Sequence, residues 1–299
     1  MIPEFPKFKK LELSDRKTIE RFTAKFPPYS DFNFVSMWSW DTKGEMSASI
    51  LNNNLVIKFT DYLNGEPFFS FLGDNQIAET TQTLLDFSRD LHAVDELRLV
   101  PEAVVADCVH SFQVVPDEDA FDYVYEVEHL ANMDKWSKHT SGKKVRRFLK
   151  EGLPYEVRVS NIKEAPFSDC LKLFKKWAEV RSMDPDELSE FTAAERIFNS
   201  DIDSLRVVTL YIEGKLVGFT VFEVISDEYA VSHFAKADKD AHDSASDVLN
   251  WEEAKILKNK GVKYFNWEQD LGIPGLRQSK EKYGPAMRLK KFIVTRTQA

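Results

Sequence analysis

The sequence predicts an α/β protein, in the mixed α+β sense, in which two domains each form around a mixed sheet. Three observations predict this class. The chain has 299 residues, the length of two ordinary domains. Short apolar runs typical of strands alternate with stretches of helical periodicity. Both halves show the same order of strands, helix, strand, helix and strand, so helices can cover both faces of each sheet.

The first half begins with two helices and continues with strands. Ser14 can cap the first helix, because apolar residues recur at helical spacing behind it, and a second helix is predicted after Ser30. The remaining elements are predicted as strands 55–59 and 67–73, helix 76–92, strand 96–100, helix 101–110 and strand 122–127.

The second half begins with a basic helix over 135–151, which Gly152 and the proline behind it terminate. Glu213 and Gly214 are a hairpin turn signal between two long apolar strands within 205–225. The other elements are predicted as helices 166–181 and 187–198, strand 228–237, helix 244–260, strand 262–267, helix 275–283 and strand 287–295. Pro116 and an acidic run interrupt the apolar pattern, so we predict domains over 1–125 and 126–299.

Composition and charge restrict the function. The net charge of −9 disfavours DNA as a partner, although residues 135–150 carry seven Lys or Arg and no acid. Cys108 and Cys170 are isolated, which argues against a disulfide framework and against a metal site. No apolar run reaches the ~20 residues of a membrane helix, and no signal peptide is evident. We therefore expect a cytoplasmic protein without a transmembrane segment or a metal; its oligomeric state stays open.

Catalytic candidates concentrate after the strand that ends near Trp267. If that strand continues, Glu268 and Asp270 point to one face together with Asn266. Two close carboxylates push their pKa values apart, so one can act as a base or grip a cationic amine. His233, on the strand over 228–237, is a second candidate base. The alternatives are that the acids cap the loop and that the histidine is packed in the core.

Candidate binding residues lie on two basic helices. Arg277 and Lys280 share one face of the short helix, whose other face Tyr283 anchors. Together with the helix N-terminus they suit an anion such as phosphate. Lys144 and Arg147 on the basic helix can contact the same kind of ligand. The alternative is that both helices simply expose a solvated face.

The segment NWEQDLGIPGLRQSKEKYGP (266–285) resembles the C-terminal domain of phosphatidylglycerol lysyltransferases and their stand-alone relatives, with weaker support from YSDFNFVSMWSW (29–40) and GKKVRRF (142–148). The strand–hairpin–strand–helix order of the second half resembles the GNAT superfamily, whose acyl-CoA N-acyltransferase fold Fem-type aminoacyltransferases carry as a tandem. The resemblance therefore implies two tandem GNAT-like domains, with the active site in the second.

The resemblance implies transfer of an aminoacyl group from aminoacyl-tRNA to an amine or hydroxyl of a small-molecule or peptide acceptor, with the acceptor end of tRNA as a partner. It places Glu268, Asp270 and His233 in catalysis. The binding residues it implies are Asn266, Arg277, Lys280, Tyr283, Lys144 and Arg147. Coenzyme-A-using relatives have a glycine-rich loop after the central strand, whereas 236–246 contains no glycine, which disfavours acyl-CoA. A CoA-dependent N-acyltransferase, a non-catalytic protein that binds an anionic ligand and a tRNA-binding adaptor remain alternatives.

Overall fold

The structure, a computed structural model, describes residues 1–61, 65–91, 94–184 and 188–297. The chain forms two compact units. The first unit consists of Met1–Asp122, Gln269–Ile273 and Arg288–Ala299, and the second unit of Tyr123–Glu268 and Pro274–Met287. The predicted domains were continuous, over 1–125 and 126–299. The difference is that two short segments from the end of the chain belong to the first unit.

The first half of the chain contains six strands and four α-helices among its described residues. They are β1 (Lys9–Lys10), α1 (Arg16–Thr23), α2 (Phe34–Trp40), β2 (Ser47–Leu51), β3 (Asn54–Thr60), β4 (Pro67–Leu72), α3 (Ile77–Asp90), β5 (Leu97–Pro101), α4 (Glu102–Val105) and β6 (Phe112–Pro116). Most of this order was predicted, but β1, β2 and β6 were not. The helix predicted over 101–110 is a single turn, and the predicted helix ends at 92 and 187 lie outside the described residues.

The rest of the chain supplies eight strands and six helices to the described structure. They are β7 (Asp122–Glu126), α5 (Val127–Ala131), α6 (Thr140–Glu151), β8 (Tyr155–Asn161), α7 (Phe167–Glu179), α8 (Ser189–Phe198), β9 (Leu205–Ile212), β10 (Lys215–Val224), β11 (Tyr229–Ala237), α9 (Ala245–Asn259), β12 (Tyr264–Asn266), α10 (Pro274–Glu281), β13 (Met287–Leu289) and β14 (Lys291–Arg296). The predicted last strand is thus divided into β13 and β14, and α5 and β8 were not predicted. The basic helix predicted over 135–151 begins at Thr140.

Two seven-stranded mixed sheets confirm the predicted fold class. The first has the order β1-β2-β3-β4-β5-β14-β6, and the second has the order β13-β7-β12-β11-β10-β9-β8. Each contains a parallel pair, β4 with β5 and β11 with β12, among antiparallel neighbours. β14 joins the first sheet because it pairs with both β5 and β6. Hydrophobic periodicity marks a buried strand but does not tell which sheet receives it.

Local sequence explains the elements that carry the second sheet. Glu213 and Gly214 both have positive φ, 50° and 75°, as the tight hairpin between β9 and β10 requires. α6 ends at Gly152, whose left-handed backbone (φ 66°) glycine adopts without steric cost. α9 covers this sheet at the close approach of Leu249 to Gly218, where an added Cβ would lie 3.1 Å from the leucine methyl group.

A buried ionic cluster ties the C-terminal strand into the first unit. The Lys291 side chain is fully buried, and its Nζ lies 2.6 Å from Asp122 Oδ1 and also pairs with Asp31. Ser30 donates its hydroxyl to Asp122 at 2.6 Å. Burial by itself lowers the pKa of Lys291, but the two carboxylates outweigh it and raise that pKa. The cluster therefore contains a permanently charged base with two acids around it.

Candidate active site

The central strands of the second sheet form a fork. β11 and β12 run parallel and pair only over three positions, of which the last joins Val231 to Asn266. β12 ends there, whereas β11 continues to Ala237. Beyond Val231 the edge of β11 is therefore not paired with β12. A parallel pair that separates in this way exposes backbone groups and side chains at the end of the shorter strand, where a ligand can bind.

His233 is the extra residue of a β-bulge at this fork. In the pairing of β10 with β11, Val221 lies opposite Phe234 and Phe222 lies opposite Ser232, so the register shift passes over His233. A bulge re-aims a side chain and is frequent beside active sites. The imidazole lies between two carboxylates: its Nε2 is 3.5 Å from Glu223 Oε1, and its Nδ1 is 3.8 Å from Glu268 Oε1.

The protonation of His233 follows from these neighbours. Burial lowers the pKa of the imidazole, but the interactions with Glu223 and with Glu268 outweigh burial and raise the pKa to about 9. At neutral pH the ring is therefore an imidazolium between two acids. An imidazole that already carries its proton does not accept another, so these neighbours favour a charge-holding role for His233 over the role of base.

Exposure distinguishes the members of this group, which we call the Glu–His–Glu group (Glu223, His233 and Glu268). The side chains of His233 and Glu223 are 1% and 2% exposed, whereas that of Glu268 is 17% exposed. Glu223 also accepts a hydrogen bond of 2.8 Å from the Ser204 hydroxyl. Glu268 is therefore the member that a ligand can reach, and the other two lie behind it.

A tight turn after β12 places Glu268. Its backbone has φ 58°, a left-handed conformation that costs a glutamate on the order of 1 kcal/mol and that concentrates at functional sites. Asn266 is buried and its Oδ1 accepts the Glu268 N–H at 2.7 Å. The Glu268 carbonyl accepts from Tyr123 N–H at 3.0 Å and from Lys280 Nζ at 3.1 Å. Asn266 and Lys280 thus hold the backbone of the turn.

The predicted pairing of Glu268 with Asp270 on one strand face is wrong. β12 ends at Asn266, and the positive φ of Glu268 breaks the alternation on which the prediction depended. Asp270 belongs to the first unit, is fully buried, and accepts the Gly272 N–H at 2.8 Å. That contact is the loop-capping alternative considered for the acids from the sequence.

α10 forms as predicted, but its side chains differ in role from the expectation. Lys280 donates to the Trp267 carbonyl at 2.5 Å as well as to Glu268, so its ammonium group satisfies turn carbonyls and does not face an open anion site. Tyr283, just after the helix, is buried, and its hydroxyl donates to Asp247 at 2.8 Å. A direct substrate contact by Tyr283 is therefore not available in this structure. Arg277 lies on α10 and is partly exposed.

The two candidate binding residues on α6 have different contacts in the structure. Lys144 donates to the Asp243 carbonyl at 3.0 Å and lies 3.9 Å from Asp247 Oδ2. Arg147 is exposed, pairs with Asp243, and lies 3.5 Å from Glu151. Arg147 thus stabilises the surface of α6 in the way that the solvated-face alternative describes, whereas Lys144 faces the beginning of α9.

The loop between β11 and α9 satisfies its own backbone donors. Asp238 Oδ1 accepts the N–H groups of Asp240 and Ala241, each at 3.1 Å, and the Asp238 carbonyl accepts the His242 N–H at 3.2 Å. His242 Nδ1 accepts the Ser244 N–H at 3.1 Å. A loop that holds a pyrophosphate needs such N–H groups directed at the ligand. Here a carboxylate of the chain itself takes two of them.

Sequence reasoning missed Glu223. The signal was present: Phe219, Val221 and Glu223 alternate along an apolar strand, so the acid falls on a face that the other two bury. An acid in that position needs a partner of opposite charge, and His233 provides it. Within the part of the chain that the structure describes, no group of three or more His, Cys, Asp or Glu could hold a metal ion. No helix among those residues is long and apolar enough to cross a membrane.

Several solved structures have an architecture similar to that of this chain. A conserved protein of unknown function from Bacteroides thetaiotaomicron VPI-5482 is 26% identical, with a TM-score of 0.83 over 99% of this chain and 100% of that chain. The C-terminal domain (DUF2156) of a putative lysylphosphatidylglycerol synthetase from Agrobacterium fabrum is 13% identical, with a TM-score of 0.66 over 95% and 92%. L-PGS from Bacillus licheniformis is 13% identical, with a TM-score of 0.64 over 100% and 94%. No curated protein matches.

The two mixed sheets, with the forked central strands in the second, form the tandem GNAT-like fold that the resemblance implied. The model of one family, described as phosphatidylglycerol lysyltransferase, C-terminal, matches residues 23–295. The chain therefore belongs to the family of phosphatidylglycerol lysyltransferase C-terminal domains.

Proposed function

We propose that this protein transfers an aminoacyl group from aminoacyl-tRNA to an amine or hydroxyl acceptor. One observation carries the proposal: an accessible carboxylate, Glu268, backed by a buried imidazolium and a second acid, lies at the fork of the central strands in an acyltransferase fold. Membership of the lysyltransferase family supports an aminoacyl group as the transferred unit.

Glu268 is the residue that we assign to proton transfer. The acceptor nitrogen or oxygen attacks the ester carbonyl carbon, and its proton passes to the Glu268 carboxylate. The ester C–O bond then breaks, and Glu268 returns that proton to the departing ribose oxygen. His233 acts through Glu268, because its imidazolium charge orients the carboxylate, and Glu223 balances that charge behind it. His233 and Glu223 are therefore positioning residues.

The oxyanion of the tetrahedral intermediate needs N–H donors that are already in place. β11 continues beyond Val231, the last of its residues that pairs with β12, so its further peptide N–H groups lie beside the fork. Peptide N–H groups on a strand cost no reorganisation when charge develops. We assign the oxyanion to this edge.

The loop after β11 argues against acyl-CoA as the donor. Two of its N–H groups already bond to Asp238, so a pyrophosphate would have to displace a carboxylate of the chain. We expect calorimetric titration with acetyl-CoA to give no binding heat. Tight binding together with acetyl transfer would support the CoA-dependent alternative and count against an aminoacyl donor.

The test of the proposal is transfer of label from a pool of radiolabelled aminoacyl-tRNAs to a panel of amines, peptides and hydroxyl compounds. Glu268→Gln keeps the shape of the side chain and removes the base, so we expect the rate to fall about 10²–10⁴-fold. Glu164→Gln is the matched control, because Glu164 is an exposed acid of the same unit. No transfer to any acceptor, or an unchanged rate in Glu268→Gln, would refute the proposal.

A further inference from the structure

Within the described structure, β8 is the longest of the four strands that lie at the edges of the two sheets. β1 has two residues, β13 has three and β6 has five, the last of them a proline, whereas β8 has seven. A short strand or a proline protects a sheet edge from pairing with another chain. β8 contains no proline, glycine or lysine, and its described pairing with β9 has no bulge. This edge therefore lacks the features that commonly prevent association.

The outer edge of β8 presents backbone groups for further pairing. In an antiparallel pair, alternate residues direct their N–H and C=O groups toward the neighbouring strand, and the others direct them away. The Glu213 N–H donates to the Pro154 carbonyl at 2.8 Å, so Pro154 is of the first kind. Tyr155, Val157 and Val159 are therefore of the second kind. Among the residues that the structure describes, β8 pairs with β9 alone, so these groups point away from the sheet.

One face of β8 is mainly apolar and only partly covered. The Tyr155 ring packs edge to face against Phe148 of α6, with ring centroids 5.1 Å apart, and its hydroxyl donates to Glu252 at 3.1 Å. Val157 packs against the core of the second unit. Val159 lies farther along the same face and is 45% exposed. A further strand beside β8 would cover this valine.

The other face of β8 carries two opposite charges. Arg158 donates from Nε and Nη2 to the two carboxylate oxygens of Glu156, each at 2.7 Å. Its guanidinium carbon also lies 4.4 Å from the centre of the Tyr211 ring. Both charged side chains are more than half exposed. Charges on an edge strand repel a second strand where like charges meet and attract it where opposite charges meet, so the register decides.

The residue order of β8 is self-complementary. Two copies of YEVRVSN (155–161) can pair antiparallel with Val157 opposite Val157. Glu156 of each copy then lies opposite Arg158 of the other copy, and on the other face Tyr155 lies opposite Val159. Opposite charges, and an aromatic residue with a β-branched one, are favourable cross-strand pairs. A register centred on Glu156 or on Arg158 would place like charges opposite each other.

We propose that β8 is a dimerisation surface, on which a second copy of this chain pairs antiparallel around Val157. The register centred there brings together the residues whose N–H and C=O groups point outward. The two-fold axis passes between the two Val157 residues, so each copy uses the edge once and association ends at a dimer. Each Arg158 then faces a Glu156 on both copies, and four charges form a network. This inference goes beyond the proposed function and does not depend on it.

The first experiment removes a backbone donor at the centre of the interface. Sedimentation equilibrium of the full chain over a wide range of protein concentrations should show a monomer–dimer equilibrium. Val157→Pro deletes the N–H that points away from the sheet, and an edge strand tolerates proline at such a position. We therefore expect this variant to be monomeric. Circular dichroism and urea unfolding show whether it keeps its fold.

The second experiment tests the register by charge reversal. Glu156→Arg and Arg158→Glu each place like charges opposite each other in the dimer, so each should weaken self-association about tenfold. A mixture of the two variants restores opposite charges at both cross-strand positions, and we expect it to associate again. This recovery also shows that both variants are folded, which a loss of association alone does not.

Lys258→Glu is the matched control, because Lys258 pairs with Glu128 at the surface of the same unit and its reversal changes the net charge as Arg158→Glu does. It should dimerise like the unmodified protein. A monomer at every concentration would overturn the proposal, as would a dimer that Val157→Pro and both β8 charge reversals leave unchanged. Association that continues beyond a dimer would also overturn it. A monomer that binds an extended strand of another protein at β8 would assign the edge to that partner instead.

Discussion

Each unit encloses one base between two acids, and the two groups differ in how they meet solvent. In the first unit Lys291, Asp31 and Asp122 are all at most 6% exposed. In the second unit His233 and Glu223 are equally buried, but Glu268 is 17% exposed at the end of the row. The closed group (Lys291, Asp31 and Asp122) holds β14 in place, whereas the open group, which is the Glu–His–Glu group, leaves one carboxylate exposed to solvent.

The two bases, Lys291 and His233, also differ in how their charge depends on pH. Two carboxylates raise the pKa of Lys291 above a value that is already 10.5, so its charge is constant under physiological conditions. The same arrangement raises the pKa of His233 to about 9, close enough to neutrality for the charge to respond to pH. The choice of base and the exposure of one acid, more than the arrangement itself, therefore separate the structural ion cluster from the group that we propose to be reactive.

Removal of the base from the closed group should have the largest effect on stability. Lys291→Met leaves Asp31 and Asp122 buried without their cation, and we expect a loss of about 3–5 kcal/mol in the free energy of unfolding, measured in urea. Lys290→Met is the control, because the neighbouring lysine pairs with Glu102 at the surface and is about half exposed. Its loss should be below about 1 kcal/mol. Equal losses in the two variants would remove the distinction between a closed cluster and a surface pair.

Removal of the base from the open group should change the dependence of stability on pH. The folded-state pKa of His233 is raised from 6.5 to about 9, so its contribution is complete below about pH 6.5 and is lost as pH rises through 9. The shift corresponds to a contribution on the order of 3 kcal/mol. We expect the unfolding free energy of the unmodified protein to fall over this window and that of His233→Gln to fall less.

A second buried group titrates in the same pH range, and its effect on stability must be distinguished from that of His233. Burial raises the pKa of Glu253 to about 8, so its ionisation also lowers stability as pH rises. Its contribution is common to both proteins and cancels in the difference between the unmodified protein and His233→Gln. A difference that stays constant from pH 6 to 9.5 would show that His233 does not carry the raised pKa.

Sequence periodicity was sufficient for most of the fold. The hairpin at Glu213 and Gly214 and the stop of α6 at Gly152 follow from local residue chemistry, and the succession of β9, β10, β11 and α9 along the chain follows from hydrophobic periodicity. The assignment of β14 to the first sheet could not be predicted, because pairing with β5 and β6 is a property of tertiary structure. The short strands β1 and β6 were missed for the same reason.

The candidate site could be predicted only in part from the sequence. Glu268 and His233 were named, but the bulge that turns His233 toward Glu268 depends on the register between β10 and β11, which no local pattern encodes. Glu223 was detectable as an acid on the buried face of a strand. The positive φ of Glu268 could not be foreseen, since glutamate rarely adopts it, and it explains why Asp270 does not share its face.

The charge of the His233 imidazole decides whether the Glu–His–Glu group can act as proposed. An NMR titration of the labelled imidazole should give a pKa near 9 in the unmodified protein and a clearly lower value in Glu268→Gln, because that variant loses one of the two flanking charges. A value at or below 6.5 that is the same in both proteins would contradict the account, since His233 would then be neutral and independent of the acid assigned to proton transfer.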